Sequence, residues 1–217
     1  MTAVLFDLDG TLIDSLTDLA DSMNSVLSGL GYPSHPKEAY RYFVGDGMET
    51  LVRRTLPPDK TDEATVAKAL AAMRAAYQAC GHQNTRPYPG IPELLDALTA
   101  RRLPLVILSN KPDDFTQEAV TSLLGRWSFR AVRGVRPEIP KKPDPAGALA
   151  LATELAIPPD TFLYLGDTSI DMLTANRAGM FPVGVLWGFR TAEELRESGA
   201  AVLLDTPLDL LPLLTAS

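Results

Sequence analysis

The segment Val4-Leu5-Phe6-Asp7-Leu8-Asp9-Gly10-Thr11-Leu12 decides the fold that we predict for this chain. Three apolar residues that run directly into two aspartates and a glycine are typical of a buried strand ending in a polar turn. From Ser15 the apolar residues recur at helical spacing, and no convincing strand interrupts the chain before Arg86. The chain therefore opens with one strand and continues into a long helical stretch.

Strand-like and helix-like segments alternate after that stretch. Apolar or strand-like runs cover residues 103–108, 129–135, 162–165 and 183–186, with helical segments between them. Such alternation predicts an α/β protein, in which a parallel sheet carries helices on both faces. We predict that residues 1–14 and 86–217 form this core. Residues 15–85 are predicted to form a separate helical cap, inserted after the first strand and lying over the sheet.

Composition excludes several classes of protein. The 217 residues carry a formal net charge of −7, which argues against the clustered Lys and Arg of a nucleic-acid-binding surface. No apolar run approaches the roughly 20 residues of a membrane span. The first residues lack the basic region of a signal peptide, and the single cysteine cannot form an internal disulfide. We expect a cytoplasmic protein that binds neither nucleic acid nor membrane.

Polar side chains collect where the predicted strands end. The carboxyl ends of parallel strands meet at one edge of a sheet, so residues far apart in sequence converge there. A lysine in a later loop between a strand and a helix is predicted to lie at the same edge. The residues brought together in this way are Asp7, Asp9, Ser109, Asn110, Lys142 and Asp167.

This set of residue types is suited to phosphoryl transfer. Several carboxylates brought close together repel one another unless a cation lies among them, and Mg²⁺ prefers such oxygen ligands. Asp7, directly at the strand end, is the candidate nucleophile, and Asp9 is the candidate general acid and base. Ser109, the Asn110 backbone and Lys142 are predicted to bind the phosphoryl oxygens.

The motifs resemble those of the haloacid dehalogenase superfamily. The segment Asp7-Leu8-Asp9-Gly10-Thr11-Leu12 is similar to its first motif, and the phosphatases of the family carry Asp-x-Asp-Gly-Thr. Ser109, Lys142 before Pro143, and the segment Gly166-Asp167-Thr168-Ser169-Ile170-Asp171 resemble the later motifs in order. The resemblance implies a Rossmann-like core and an aspartyl-phosphate intermediate.

The resemblance also implies a metal site and a substrate class. Mg²⁺ is implied to bind the Asp7 carboxylate, the Asp9 backbone carbonyl and the Asp167 carboxylate, with Asp171 behind these ligands or on a metal-bound water. Family dehalogenases lack the second aspartate, so Asp9 favours phosphate esters. Residues 43–54, 86–90 and 109–112 are similar to bacterial phosphoglycolate phosphatases, which points to 2-phosphoglycolate. The predicted partner is thus a small phosphorylated metabolite, and the chain is expected to be a monomer or homodimer.

Other interpretations remain open from sequence alone. Related caps serve pyrophosphatases, sugar-phosphate phosphatases and phosphomutases, and a regulatory protein can keep the fold without turnover. Ser109 and Asn110 are also suitable helix caps, which is compatible with anion binding. From sequence alone, Lys142 is also compatible with a solvated surface position. We predict that Lys111 is solvated or plays only a supporting part.

Overall fold

The computed structural model describes residues 1–214. The strands are β1 (Ala3–Phe6), β2 (Ile13–Asp14), β3 (Arg86–Pro87), β4 (Leu105–Pro112), β5 (Ala131–Val135), β6 (Phe162–Gly166), β7 (Phe181–Val185) and β8 (Val202–Leu204). The α-helices are α1 (Leu16–Gly29), α2 (Tyr40–Phe43), α3 (Met48–Thr55), α4 (Glu63–Cys80), α5 (Ile91–Ala100), α6 (Asp113–Leu124), α7 (Ala146–Leu155), α8 (Ser169–Ala178) and α9 (Ala192–Glu197). Short 3₁₀ helices cover Lys37–Ala39, Pro58–Lys60, Pro159–Thr161 and Pro207–Leu214.

The chain divides into two compact units. One comprises Met1–Asp14 together with the chain from Pro87 onward, and the other comprises Ser15–Arg86. The predicted core extends to residue 217, so its last three positions lie outside the described residues. That the inserted unit acts as a cap stays a prediction.

The first unit is built on a six-stranded parallel sheet in the order β5-β4-β1-β6-β7-β8. β1 is central because all four of its residues are apolar and buried, and it pairs with β4 and with β6. Leu5 is the partner of Val106 on one side and of Tyr164 on the other. The order of the strands reverses between β1 and β6, and ligands bind at such a point in open parallel sheets.

Different helices cover the two faces of this sheet. Side chains alternate along a strand, so Val4 and Phe6 lie on one face and Ala3 and Leu5 on the other. The first pair packs with apolar residues of α5 and α6, and the second with those of α7 and α8. Each fully buried Val, Leu or Phe side chain stabilises the folded state by roughly 1.5–3 kcal/mol relative to an exposed one. The predicted α/β fold with a parallel sheet and helices on both faces is confirmed.

Two parts of the sheet differ from the sequence prediction. β4 does not end at residue 108 but continues through Pro112, so the polar residues predicted to follow the strand lie within it. Its pairing with β5 is irregular between Leu108 and Pro112, where the strand continues past its apolar run. The structure also adds α9 and β8 beyond residue 186, where the sequence analysis assigned no element.

The second unit is helical. α1 and α4 pack along each other, and the apolar residues of α1 lie at helical spacing on its buried face. α4 begins at Asp62, whose side chain accepts the Thr65 N–H at 3.0 Å. It ends at Gly81, which adopts the left-handed conformation that glycine tolerates best. Across residues 1–214, every helix is too short or too polar to cross a membrane.

A buried carboxylate ties the two ends of this helical unit together. Asp18 in the first turn of α1 accepts the Asn84 N–H at 3.0 Å, the Asn84 Nδ2 at 2.8 Å and the Thr85 N–H at 2.8 Å. The Thr85 hydroxyl donates to it as well. Burial alone raises the pKa of Asp18, but the hydrogen bonds from Thr85 and Asn84 outweigh it and hold this pKa below its ordinary value. The stabilisation is therefore present near neutral pH and is lost as pH falls through the folded-state pKa.

We expect Asp18→Asn to destabilise the chain by about 2 kcal/mol at pH 7, because the amide NH₂ group faces donors and leaves them unsatisfied. Urea unfolding followed by circular dichroism measures the difference, which should shrink as the pH is lowered from 7 towards 3.5. Asp21→Asn, at an exposed position of the same helix, is the control and should change stability by roughly 0.5 kcal/mol or less. A loss that stays constant with pH would contradict this role of the carboxylate.

Candidate active site

The carboxyl edge of the sheet holds a dense group of buried polar side chains. Its members come from the residue after β1, from β4, from the loop after β5, and from the segment that runs from the end of β6 into the first turn of α8. Burying so many charged groups is costly unless each is paired or binds a cation. The buried members are Asp7, Ser109, Asn110, Lys111, Lys142, Asp167, Thr168 and Asp171.

Asp7 continues the register of β1 into the site. Its N–H donates to the Leu165 carbonyl at 2.9 Å, so the strand pairing extends one residue beyond Phe6. Its side chain lies on the same face as Ala3 and Leu5, by the alternation of the strand. The polar residue at the strand end is thereby held by main-chain bonds at the point where the strand order reverses.

Lys142 joins two of the carboxylates. Its Nζ lies 2.8 Å from Asp7 Oδ1 and 2.7 Å from Asp171 Oδ1. All three side chains are almost completely removed from solvent. Interpretation of Lys142 as a solvated surface residue is therefore wrong. Charge-assisted hydrogen bonds in such a dry environment are short and strong, and they fix the ammonium group between the carboxylates.

The main chain at Lys142 is held by Asn110. The Asn110 Nδ2 donates to the Lys142 carbonyl at 3.0 Å, and the Lys142 N–H donates to Asn110 Oδ1 at 2.9 Å. The two bonds use both ends of the amide side chain and orient the loop that carries the lysine. Asn110 thus positions Lys142, and its predicted contact with phosphate through the backbone stays a prediction.

Asp167 and Asp171 are fixed from the other side of the site. Asp167 accepts the Thr11 hydroxyl at 3.0 Å and the Phe189 N–H at 2.9 Å. Asp171 closes a capping box with Thr168 at the start of α8, and its Oδ2 accepts the Thr168 hydroxyl at 2.7 Å. Both carboxylates are therefore oriented before any ligand arrives.

Two glycines make room for these carboxylates. A Cβ at Gly166 would lie 2.1 Å from the Cβ of Asp171, and one at Gly188 would lie 2.2 Å from the Cβ of Asp167. Any larger residue would displace the aspartate or the backbone beside it. The site thus depends on the absence of side chains at these positions as much as on the polar groups themselves.

The carboxylates perturb one another. Burial, followed by the charge of Asp171, raises the pKa of Asp7 to about 7, and Lys142 opposes the rise. Burial, followed by the charges of Asp171 and Asp7, raises the pKa of Asp167. A cation beside these carboxylates would stabilise their ionised forms.

The same residues fit a divalent cation. One carboxylate oxygen from each of Asp7, Asp167 and Asp171 lies within 4.8 Å of the others, an arrangement that can hold a metal ion. The two oxygens of Asp171 are engaged by Lys142 and Thr168, which suits a supporting position better than direct ligation. An all-oxygen set of this kind matches the preference of Mg²⁺. The predicted ligand set of Asp7, Asp9 and Asp167 stays a prediction.

Asp9 is paired with a lysine whose role the sequence analysis missed. Lys111 Nζ donates to Asp9 Oδ1 and Oδ2, each at 3.1 Å, and the lysine is buried. Of the two roles predicted for Lys111, solvation is wrong because the side chain is buried, and a supporting part stays a prediction. The available signal was its spacing from Ser109, since residues two apart in a strand share a face. Ser109 itself accepts the Lys111 N–H at 3.2 Å, and its predicted contact with phosphate stays a prediction.

The donors to Asp167 differ in how far the sequence revealed them. Thr11 lies in the opening motif, but its hydroxyl was not assigned a partner. The Phe189 N–H is a main-chain group, so the identity of that side chain carries no signal for it.

Comparison with known proteins places these residues in a family. The family model described as haloacid dehalogenase-like hydrolase matches residues 4–185. The chain is 34% identical over 214 residues to phosphoglycolate phosphatase 1 of Pseudomonas aeruginosa, covering 96% of this chain and 78% of that protein.

Solved structures have the same fold. A predicted phosphoglycolate phosphatase of Haemophilus somnus superposes with a TM-score of 0.92 at 27% identity, over 99% of this chain and 98% of the other. A haloacid dehalogenase-like hydrolase of Streptococcus pneumoniae superposes with a TM-score of 0.89 at 26% identity, over 99% of both chains.

We expect Gly166→Ala to destabilise the protein by roughly 2 kcal/mol or more, because the added methyl group overlaps Asp171 in a buried, close-packed region. Thermal unfolding measures the effect. Gly29→Ala is the matched control, since a Cβ there meets no atom within 4 Å and the residue is helical. That control should leave stability unchanged or raise it by up to about 1 kcal/mol. Equal unfolding temperatures for the two variants would show that the close approach at Gly166 is unimportant.

Proposed function

The chain belongs to the haloacid dehalogenase-like hydrolase family, and from that membership we propose that it is a magnesium-dependent phosphatase acting on 2-phosphoglycolate. The observation that carries the proposal is the arrangement of Asp7, Lys142 and Asp167 at the carboxyl edge of the sheet. It is supported by the relative from Pseudomonas aeruginosa, which is called a phosphoglycolate phosphatase.

In the first half of the proposed reaction Asp7 is the nucleophile. A carboxylate oxygen of Asp7 attacks phosphorus, a new phosphorus–oxygen bond forms, and the bond to the leaving oxygen breaks. Asp9 donates its proton to that oxygen, so the alcohol leaves neutral. The contact between Lys142 and Asp7 supports this assignment, because it fixes the nucleophile and places a positive charge beside the incoming phosphate.

In the second half water releases the phosphate. Asp9, now a carboxylate, takes a proton from a water molecule whose oxygen attacks phosphorus. The bond between phosphorus and Asp7 breaks, which returns the Asp7 carboxylate and inorganic phosphate. Asp9 ends protonated, as it began, so protons and charge balance over the cycle.

Magnesium fits the charge of the site. Lys111 pairs with Asp9, Lys142 pairs with Asp7 and Asp171, and Asp167 adds a fourth carboxylate. Four carboxylates and two lysines leave two negative charges when all are ionised. The Asp7 and Asp167 carboxylates and the Asp9 backbone carbonyl would hold the ion, with Asp171 behind them. When bound, Mg²⁺ supplies a Lewis acid that neutralises charge on the phosphoryl oxygens. Asp167 is ready for this role because Thr11 and Phe189 already fix its orientation.

We expect the purified protein to release phosphate from 2-phosphoglycolate in the presence of Mg²⁺ and to lose this activity with a chelator. Asp7→Asn should abolish turnover, because the amide is not a nucleophile at phosphorus. A panel of phosphate monoesters, ranked by kcat/KM with phosphate detection, is the measurement. Asp114→Asn, at an exposed position of α6, is the control and should keep full activity. Full activity of Asp7→Asn would overturn the mechanism, and release of an isomerised sugar phosphate in place of phosphate would indicate a mutase.

We expect Asp9→Asn to lower kcat by about 10²–10⁴-fold, because proton transfer to the leaving oxygen and from water is lost. A leaving group that needs no protonation, such as 4-nitrophenolate, should still transfer its phosphoryl group to Asp7. Intact-protein mass spectrometry after rapid acid quench should then detect phosphorylated enzyme, because its hydrolysis lacks the base. Its absence from Asp9→Asn, together with unimpaired steady-state turnover, would remove Asp9 from the mechanism.

A further inference from the structure

Lys111 is a buried cation directly beside the proposed acid and base. Its Nζ lies 3.1 Å from both carboxylate oxygens of Asp9, and its side chain is only 3% exposed. Lysines are seldom buried unless they are paired, because desolvation of the ammonium group is costly. The other buried lysine of the site, Lys142, is held by Asp7 and Asp171 and leaves Asp9 to Lys111.

The main chain of Lys111 is held firmly, so only its side chain is able to change partners. Its N–H donates to Ser109 Oγ at 3.2 Å, and its carbonyl accepts the Thr116 hydroxyl at 3.2 Å. A Cβ at Gly134 would lie 2.6 Å from this carbonyl oxygen, so β5 closes on the strand at this point. The main chain of Lys111 is thus held by hydrogen bonds, and its flexible side chain extends into the site.

The present contact conflicts with the proposed work of Asp9. Both of its oxygens face the Lys111 ammonium group, whereas proton transfer requires one of them to face the leaving oxygen of the ester. A substrate that offers the ammonium group another anion allows the lysine to leave Asp9 while it keeps a charge partner in the dry site. The phosphoryl group is the less suitable anion, since Lys142 and the metal site serve it.

We propose that Lys111 is a specificity-determining residue that binds a carboxylate on the leaving group of the substrate. This inference rests on the proposed phosphatase function and names the substrate class as phosphate monoesters with a carboxylate on the carbon that bears the ester oxygen. Binding of that carboxylate draws Lys111 away from Asp9, so that Asp9 takes up a proton from solvent and faces the leaving oxygen as the general acid. The same movement of Lys111 therefore binds the substrate carboxylate and makes Asp9 available as the general acid.

The spacing of this substrate class suits the contact. A leaving oxygen that is hydrogen-bonded to Asp9 lies about 2.7–3 Å from a carboxylate oxygen that Lys111 already reaches. A substrate carboxylate separated from that oxygen by one carbon lies within reach of the Lys111 side chain. A phosphate ester of the same size whose leaving group lacks a carboxylate offers no anion there, so Lys111 stays on Asp9.

The test compares 2-phosphoglycolate with ethyl phosphate, which has the same carbon skeleton but lacks the carboxylate. We expect the wild-type protein to prefer 2-phosphoglycolate in kcat/KM by roughly 100-fold or more. Lys111→Met should lower kcat/KM for 2-phosphoglycolate by about 100-fold and for ethyl phosphate by no more than about 10-fold, so the preference collapses. Lys111→Arg keeps the charge and should keep most of the preference. Lys141→Met, at an exposed lysine of the same unit, should behave like the wild type.

Each outcome bears on the inference. Lack of preference in the wild type, or equal losses on both esters in a folded Lys111→Met, would overturn it while the phosphatase function stands. If wild-type protein with Mg²⁺ hydrolyses neither these esters nor any other of the panel, the proposed function itself falls. Thermal unfolding shows whether Lys111→Met is folded; if it is not, the wild-type preference and Lys111→Arg decide the question.

Discussion

Opposite charges have to be buried together at the carboxyl edge of the sheet, and much of the first unit serves this requirement. Asp7, Asp167 and Asp171 are close enough to raise the pKa of Asp7 and of Asp167, and Lys142 offsets part of that repulsion. Isolated charges could not remain ionised in such a dry place. The apolar strands therefore do more than form a core, since they carry these groups to one point and exclude the water that would screen them.

The residues that orient the charged side chains matter as much to the site as the charged residues themselves. Asn110 orients the lysine loop from a neighbouring strand, and a capping box turns Asp171 towards the site. Gly166 and Gly188 leave the space in which the carboxylates lie. The two glycines carry no reactive group, but without the space they leave the aspartates would lack a defined geometry. Orientation in advance of binding is the property on which electrostatic catalysis depends.

The fold and the main charged residues were predictable because they follow from apolar runs and the polar residues after them. Asp7 and Asp167 follow buried strands, and parallel strands carry such residues to one edge. Solvation, one of the two roles predicted for Lys111, was wrong because β4 continues past its apolar run and buries a residue type that is usually solvated. The Phe189 N–H had no signal, since every residue other than proline has that group. The sequence thus predicts which charged side chains meet at the site better than it predicts which neighbouring groups orient them.

The contacts of Thr11 and Asp167 connect the site to a late part of the chain. Trp187 Nε1 donates to the Thr11 carbonyl at 2.9 Å, and the Phe189 N–H completes the bonds to Asp167. The ribosome therefore adds Trp187 and Phe189 after Thr11 and Asp167, the two residues that they support. Until residues 187–189 have docked, Asp167 lacks the Phe189 N–H that helps to orient its carboxylate. The orientation of Asp167 is therefore complete only when residues 187–189 lie beside the opening motif.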